Sequence, residues 1–456
     1  MRGARAVTDP TQDIRPIIEE AAERVGLKAS IKEMRRLSGG AINQNFLAEL
    51  TDGSDQTHRW VLRRGQSLPI PGSLNRAAEF AVVSHAEKMG VAVAKPITLI
   101  EHESNSASVF QWCSGQTDGR AILSWLSKSD QHANAEKTKR LTQSLGVQLA
   151  RLHSTQSAET AAKTLTTHLG PRPDDGFAAS IDLLKRSFSK VKAPKSYLIA
   201  AYEACLNEAE TIQRARGQTK APACIAHNDF RLGNLMIDPS TSQLTAVLDW
   251  EFTAWGDPMA DIGWVSAPCW RFGGSGPVAG FGAVDDLLTG YASACADAQA
   301  IVQMKARVAG ELGFWQRYAH LRWAVIAAQQ GERAISGDVE ALELLLTGAM
   351  VASILEPTLA HYWGSLPTIA LGERDAPEPA HAALDQLLAE AAHHLKSYLG
   401  AQLSGSQRYS ALMSANAIRL ARGGLRLKKN ASVHSNATDQ ARHELAADLA
   451  VWSFRG

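Results

Sequence analysis

One stretch constrains this chain more than the rest of it. His227, Asn228, Asp229, Phe230, Arg231, Leu232, Gly233 and Asn234 are followed by Ala246, Val247, Leu248, Asp249, Trp250 and Glu251. The polar residues are set between short apolar runs. Cys224–Ala226, Leu235–Ile237 and Thr245–Leu248 each read as a strand of a few residues. The aspartates and the asparagine therefore fall at strand ends, a usual place for a site. Any one of them would be at home in an ordinary polar loop, because Asp and Asn suit turns. At this spacing they form a set.

The set has a chemistry. Asp229 can accept a hydrogen bond from a substrate hydroxyl and steer it at a phosphorus atom. Asn234 offers a neutral oxygen to a cation, and Asp249 offers a carboxylate to the same cation. Mg2+ prefers oxygen ligands and keeps several waters, so one carboxylate and one amide suffice. This is the layout of a kinase. Arg231 would place positive charge beside the transferring phosphate. Its simpler role is an ion pair with a nearby carboxylate. His227 reads as a structural hydrogen-bonding residue, and Asp257 and Asp261 as fixing loop geometry, with Asp257 capping a helix after it.

A kinase also needs a phosphate cover, a cation for the α- and β-phosphates and an anchor for that cation. Ser38, Gly39 and Gly40 join two expected strands, and adjacent glycines let backbone N–H groups approach phosphate oxygens. Arg63 lies on the next strand, Arg59–Arg64, and is the candidate cation. Arg64 would face the other way, because strand side chains alternate. Glu79, in a helix expected over Leu74–Met89, is the natural anchor for Arg63. His153 reads as a packing histidine on a helix face, and Gly273–Gly276 as a flexible loop near the substrate side.

The remaining pattern gives the organisation. Residues 1–113 read as a small lobe of strands with inserted helices. Residues 114–363 are mostly helical around the motif strands. Residues 364–379, with three prolines and two glycines, read as a linker, and residues 380–456 as a helical extension whose last thirty or so residues are polar and mobile with a short terminal helix. No uninterrupted apolar stretch approaches membrane-spanning length to the eye, so no membrane is expected. A net charge of +1 gives no reason to expect nucleic acid as a partner. The five cysteines form no C-x-x-C pair, which points to a reduced, cytoplasmic setting. No Gly-Lys pair occurs, which excludes a P-loop.

The strings HNDFRLGN, LDWE and WGDPMADIGW, supported by the Ser-Gly-Gly loop and by LARLH, resemble the aminoglycoside phosphotransferase and choline kinase-like family over residues 30–360. Within it the chain looks most like the kinase-like domains fused to some acyl-CoA dehydrogenases. The resemblance implies an α+β, bilobal protein kinase-like fold with a β-rich N-lobe, a mostly helical C-lobe and a C-terminal helical extension. It implies Asp229 as the base, Asn234 and Asp249 as metal ligands, and Arg63 with Glu79 as the ion pair. ATP and Mg2+ would be the cofactors, with GTP left open. Asn228 departs from the glycine usual after the histidine. Ile42 and Asn45 depart from a Ser-Asn-x-Thr pattern, while Asn43 keeps it.

The expected activity is transfer of the ATP γ-phosphate to a hydroxyl of a small molecule. Trp264, Trp270 and Phe272 make the acceptor side aromatic, which suits a hydroxyacyl thioester or similar alcohol. The alternatives are an antibiotic-modifying aminoglycoside phosphotransferase and a non-catalytic nucleotide-binding module. Homodimerisation through the C-terminal helices is left open.

Overall fold

Each strand of the first sheet buries one face, and the period-two pattern of Trp60 and Leu62 on β3 (Thr57–Arg64) shows which. These residues join Phe46, Ala48 and Leu50 of β2 (Gln44–Asp52) and Ile14, Ile17, Ile18 and Ala21 of the N-terminal helix segment in one core. With β1 (Ala29–Arg36), β4 (Pro96–Ile100) and β5 (Ala107–Gln111) the sheet is antiparallel, in the order β1-β2-β3-β5-β4. Arg63 lies on the opposite face of β3 from Leu62. It pairs with Asn45 on one side and Ser108 on the other, so it projects from the middle of the sheet.

The computed structural model describes residues 12–37, 44–65, 70–101, 106–128, 131–337, 342–364, 379–426 and 437–453. The expected phosphate cover Ser38–Gly39–Gly40 lies outside the described residues, as do Ile42 and Asn43 and most of the expected linker. The helix after β3 runs Arg76–Lys88, capped by Asn75, whose side chain accepts from the Ala78 N–H. It ends before Gly90, whose φ of +76° is the left-handed stop read from the sequence.

Two short ladders carry the motif. β7 (Leu235–Asp238) pairs with β8 (Gln243–Val247), with Leu235 opposite Val247. Asn234 and Asp249 therefore emerge at the same end of one hairpin. β6 (Cys224–Ala226) pairs with β9 (Ala254–Gly256), a strand the sequence reading had missed. It has only three residues, Ala254, Trp255 and Gly256, too short a run to show alternation. The helix Pro258–Ser266 follows, and Asp257 caps it by accepting from the Met259 N–H at 2.9 Å, as expected. A second helix pair closes behind the motif. Helices Gln131–His153 and Val284–Ala294 touch through Gly146 and Gly290; a Cβ on Gly290 would stand 1.9 Å from the Gln143 carbonyl oxygen.

The segment Arg271–Gly282 corrects the expectation of a flexible loop. Val278 and Ala279 are fully buried, and the Ala279 N–H donates to the Val265 carbonyl at 2.8 Å. The glycines are there for close approach: a Cβ on Gly274 would lie 2.0 Å from the Gly280 carbonyl oxygen. The loop is a packed knot.

Contacts divide the chain into two compact units, residues 1–180 with 218–316, and residues 181–217 with 317–456. The first holds everything described so far. In the second, the terminal helix Ala437–Ser453 packs along the helix Ser196–Arg216, where the expectation was a mobile polar segment. Glu444 accepts from the Ser196 N–H at 2.9 Å, and Tyr197 donates to Asp448 at 2.8 Å. The stretch Leu342–Trp363 is long and apolar enough, by length and composition alone, to cross a membrane, contrary to the sequence reading. It forms two helices, and Leu344, Val351, Ile354, Leu355 and Leu359 are buried core of this unit. All five cysteines are unpaired.

The terminal helix is expected to carry stability. Deleting residues 437–456 should lower the thermal midpoint by about 5 °C or more, because it strips two charge-assisted hydrogen bonds and an apolar face from Ser196–Arg216. An unchanged melting curve would show that the helix is not needed by this unit.

Candidate active site

The loop after β6 is shaped by backbone before any side chain acts. Asn228 has φ +63°, a left-handed conformation that costs most residues about 1–2 kcal/mol. Glycine and asparagine avoid much of that cost, which explains how asparagine can stand where the motif resemblance leads one to expect glycine. The turn is pinned by Asp261, from the helix Pro258–Ser266. Its carboxylate accepts the N–H of His227 and the N–H of Asn228, both at 2.7 Å, and His153 Nε2 lies 3.1 Å away. Tyr291 in turn hydrogen-bonds His153 Nδ1 at 3.4 Å. Asp261 is fully buried, and burial opposes its charge; His153 and the loop N–H groups still hold its carboxyl below the usual range. His153 is thus an anchor of the loop, more than a packing residue.

His227 joins the two motif loops. Its Nε2 lies 3.0 Å from the Leu248 carbonyl, and its Nδ1 accepts the Asp229 N–H at 3.2 Å. One nitrogen donates and the other accepts, which is the neutral imidazole. Burial pushes its pKa down, in keeping with that form.

Asp229 is held on both oxygens. Oδ1 accepts from Trp264 Nε1 at 3.1 Å and from Arg231 Nε at 3.0 Å. Oδ2 accepts from Asn234 Nδ2 at 2.6 Å. Arg231 lies over the Trp270 ring, 4.5 Å from its centroid. Arg231 therefore takes the ion-pair role with the candidate base itself. The Asn234 amide nitrogen also donates to the Asp229 carbonyl at 2.9 Å, which leaves the amide oxygen for a cation.

Asp249 also sits in the left-handed region, φ +59°. Its Oδ1 lies 2.6 Å from Arg63 Nη1, and the same nitrogen is 3.4 Å from Glu79 Oε1. Burial opposes the charge on Asp249, and Arg63 outweighs it, lowering the pKa. Burial likewise works against Arg63, but Glu79, Asp249 and Glu251 raise its pKa further still. The sequence reading paired Glu79 with Arg63 alone. The structure adds Arg76, which ion-pairs with Glu79 Oε2 from one turn earlier on the same helix. That i, i+3 spacing was visible in the sequence. Glu251 was also missed. Its backbone carbonyl accepts from the Leu74 N–H at 2.7 Å, tying the helix entry to the metal loop. Burial, with the Asp249 carboxylate close by, pushes its carboxyl up to about 7.

Among the described residues no cluster of three or more His, Cys, Asp or Glu side chains forms a metal cage. A site of one carboxylate and one amide fits Mg2+, which takes its remaining ligands from water and phosphate oxygens.

Residues 33–296, more than half of the chain, match the model of the phosphotransferase enzyme family. The chain belongs to that family. It is 25% identical to mouse acyl-CoA dehydrogenase family member 10 over 240 residues, which is 50% of this chain and 20% of that protein. It is 40% identical to rat acyl-CoA dehydrogenase family member 11 over 43 residues, 9% of this chain and 6% of that one. The chain thus spans about a fifth or less of these curated relatives. A putative aminoglycoside phosphotransferase from Ralstonia eutropha aligns with 75% of this chain and 95% of its own, at 19% identity and a TM-score of 0.50. That likeness fits the kinase-like fold expected from the motifs: a small antiparallel sheet followed by a mostly helical remainder.

Two outcomes follow from these charges. Glu79→Ala should cost more stability than Arg63→Ala, about 3 kcal/mol in urea unfolding, because it leaves two buried guanidinium groups facing each other. After Arg63→Ala, Glu79 keeps Arg76. A double-mutant cycle should show coupling of about 1 kcal/mol or more, and additive effects would mean the pair does not interact. Glu251 gives a pH signature. Its folded pKa is raised, so the folded state holds the proton longer and stability falls as pH rises from the unfolded value toward about 7. Glu251→Gln should remove that fall, measured as the difference in unfolding midpoint between pH 5 and pH 8.

Proposed function

We propose that the protein transfers the γ-phosphate of ATP to a hydroxyl of a small-molecule metabolite, with Mg2+ as the cofactor. The observation that carries this reading is the placing of Asp229. Its carboxylate is buried, fixed by three side-chain donors, and adjoins Asn234, whose amide oxygen is turned away from it. Asp229 would orient the acceptor hydroxyl and take its proton late, in a loose transition state. Arg63 would neutralise the α- and β-phosphates, held by Glu79. Asp249 and Asn234 would hold Mg2+, which supplies charge neutralisation for the phosphates when bound. Ser38, Gly39 and Gly40 would cover them. Arg231 would stabilise charge on the transferring group.

The acceptor side favours an uncharged or anionic alcohol. Arg231 and the rings of Trp264, Trp270 and Phe272 lie beside Asp229 and Gly233. A polycationic antibiotic would meet Arg231 at close range and lose affinity by like-charge repulsion. A hydroxyacyl thioester suits the surroundings, and the names of the mouse and rat relatives support acyl-CoA chemistry nearby. Unpaired cysteines support a reducing, cytoplasmic setting.

The test is ADP release by purified protein against hydroxy acids, hydroxyacyl-CoAs, amino alcohols, sugars and an aminoglycoside. A hydroxyacyl-CoA or hydroxy acid should stimulate most; selective stimulation by the aminoglycoside would reverse the acceptor assignment. With the best acceptor, Asp229→Asn should reduce turnover by about a hundredfold or more and leave calorimetric ATP affinity nearly unchanged, because it removes an interaction made mainly in the transition state. Asp249→Asn should abolish turnover and the Mg2+ dependence of ATP binding together. Near wild-type turnover in either variant would overturn that residue's role.

A further inference from the structure

The helix Pro258–Ser266 does two jobs from one face. Asp261 and Trp264 are three residues apart, so their side chains lie one above the other. Asp261 takes the backbone N–H groups of His227 and Asn228, at 2.7 Å each. One turn on, the indole N–H of Trp264 reaches the Asp229 side chain at 3.1 Å. The indole is buried at 2% exposure and packs against Trp270, with ring centroids 5.6 Å apart. The backbone beneath it is packed against Trp315, where a Cβ on the preceding Gly263 would come within 2.5 Å. Trp264 therefore has no freedom to turn its N–H elsewhere without breaking packing. The same rigid turn that fixes the loop backbone also fixes the carboxylate.

The donors on Asp229 then decide where an acceptor can bind. A carboxylate offers about four lone-pair positions. Trp264 and Arg231 fill both positions of Oδ1, and Asn234 fills one of Oδ2. One position remains among the described residues, on Oδ2. We propose that Trp264 is a positioning residue for the phosphoryl transfer: with Arg231 it occupies Oδ1, fixes the orientation of the Asp229 carboxylate, and directs the acceptor hydroxyl to Oδ2. The proposal rests on Asp229 being the base. In the step, the acceptor oxygen bonds to the γ-phosphorus while the bond from that phosphorus to the bridging oxygen breaks. The electron pair leaves on ADP, and the acceptor proton passes to Asp229 Oδ2. Trp264 touches neither reactant. It acts by holding the carboxylate that does.

The test uses the full chain with 15N-labelled tryptophan, and MgATP with water as the acceptor. Trp264→Phe identifies the Trp264 indole signal by its loss. In the otherwise unchanged chain, Asp229→Asn should shift that signal, and the shift reads the hydrogen bond without any catalysis. In Trp264→Phe, ADP release into water should fall about tenfold or more, as for loss of one preorganised donor. ATP affinity should stay within about twofold by calorimetry. A role in packing alone would lower the melting temperature and leave the indole signal blind to Asp229→Asn. That outcome, or a Trp264→Phe enzyme with wild-type rate, would overturn the proposal. If the wild-type chain releases no ADP into water, the rate comparison is made with the acceptor that stimulates ADP release most; the assignment of Asp229 as base falls if Asp229→Asn keeps near wild-type turnover there, and the indole shift still tells whether Trp264 holds Asp229.

Discussion

The buried carboxylate of Asp261 is the interaction on which the active site depends. It is the one acceptor for two consecutive backbone N–H groups that no ladder can satisfy, because the chain turns through a left-handed residue at Asn228. Without it the loop would leave two buried donors unpaired, each a cost of about 1–3 kcal/mol. With it, His227 is placed to bond Leu248 and the Asp229 N–H, and so Asp229 is fixed relative to the loop of Asp249. A chain of contacts from Tyr291 through His153 to Asp261 ties this loop to two helices packed glycine against glycine.

A second constraint is charge balance around Arg63. Three carboxylates, Glu79, Asp249 and Glu251, share two guanidinium groups, Arg63 and Arg76. The set carries one excess negative charge in a buried place, and Glu251 absorbs it by holding its proton up to about 7. An arginine at position 63 suits such a set better than a lysine would. Its Nη1 reaches Glu79 and Asp249 at once, and the guanidinium does not lose its proton on burial. Metal and phosphate would enter a site already close to neutral, with Asp249 exchanging Arg63 for a cation.

The motif residues were legible because their chemistry needs fixed types at fixed spacing. Asp229, Asn234 and Asp249 could be named from the string alone, and the structure brings them to one end of the short ladders. Trp264 was present in the same strings but carried no signal for its contact with Asp229, and Arg76 showed only its i, i+3 spacing to Glu79. A tryptophan in an apolar helix reads as core, and its one polar atom finds a partner only across 35 residues of chain. The glycines of Arg271–Gly282 misled for a related reason. Glycine serves flexibility and close approach equally well, and only the carbonyls packed against Gly274 and Gly280 show which. A short terminal helix was expected, but not its packing, because its polar composition hides Glu444 and Asp448, whose partners lie some 250 positions away, at Ser196 and Tyr197.

By itself, then, the sequence determined what is local: strand and helix type from apolar period, helix stops at Gly26 and Gly90, the cap at Asp257, and a constellation of oxygen ligands suited to phosphoryl transfer. Those features depend on neighbours within a few residues, and their physics is written at that range. Tertiary structure decided which donors saturate Asp229, which carboxylate yields its charge, and that the last helix belongs to a packed unit. Hydrogen bonds and Coulomb interactions act over a few ångströms of space whatever the separation along the chain, so no spacing in the sequence could announce them.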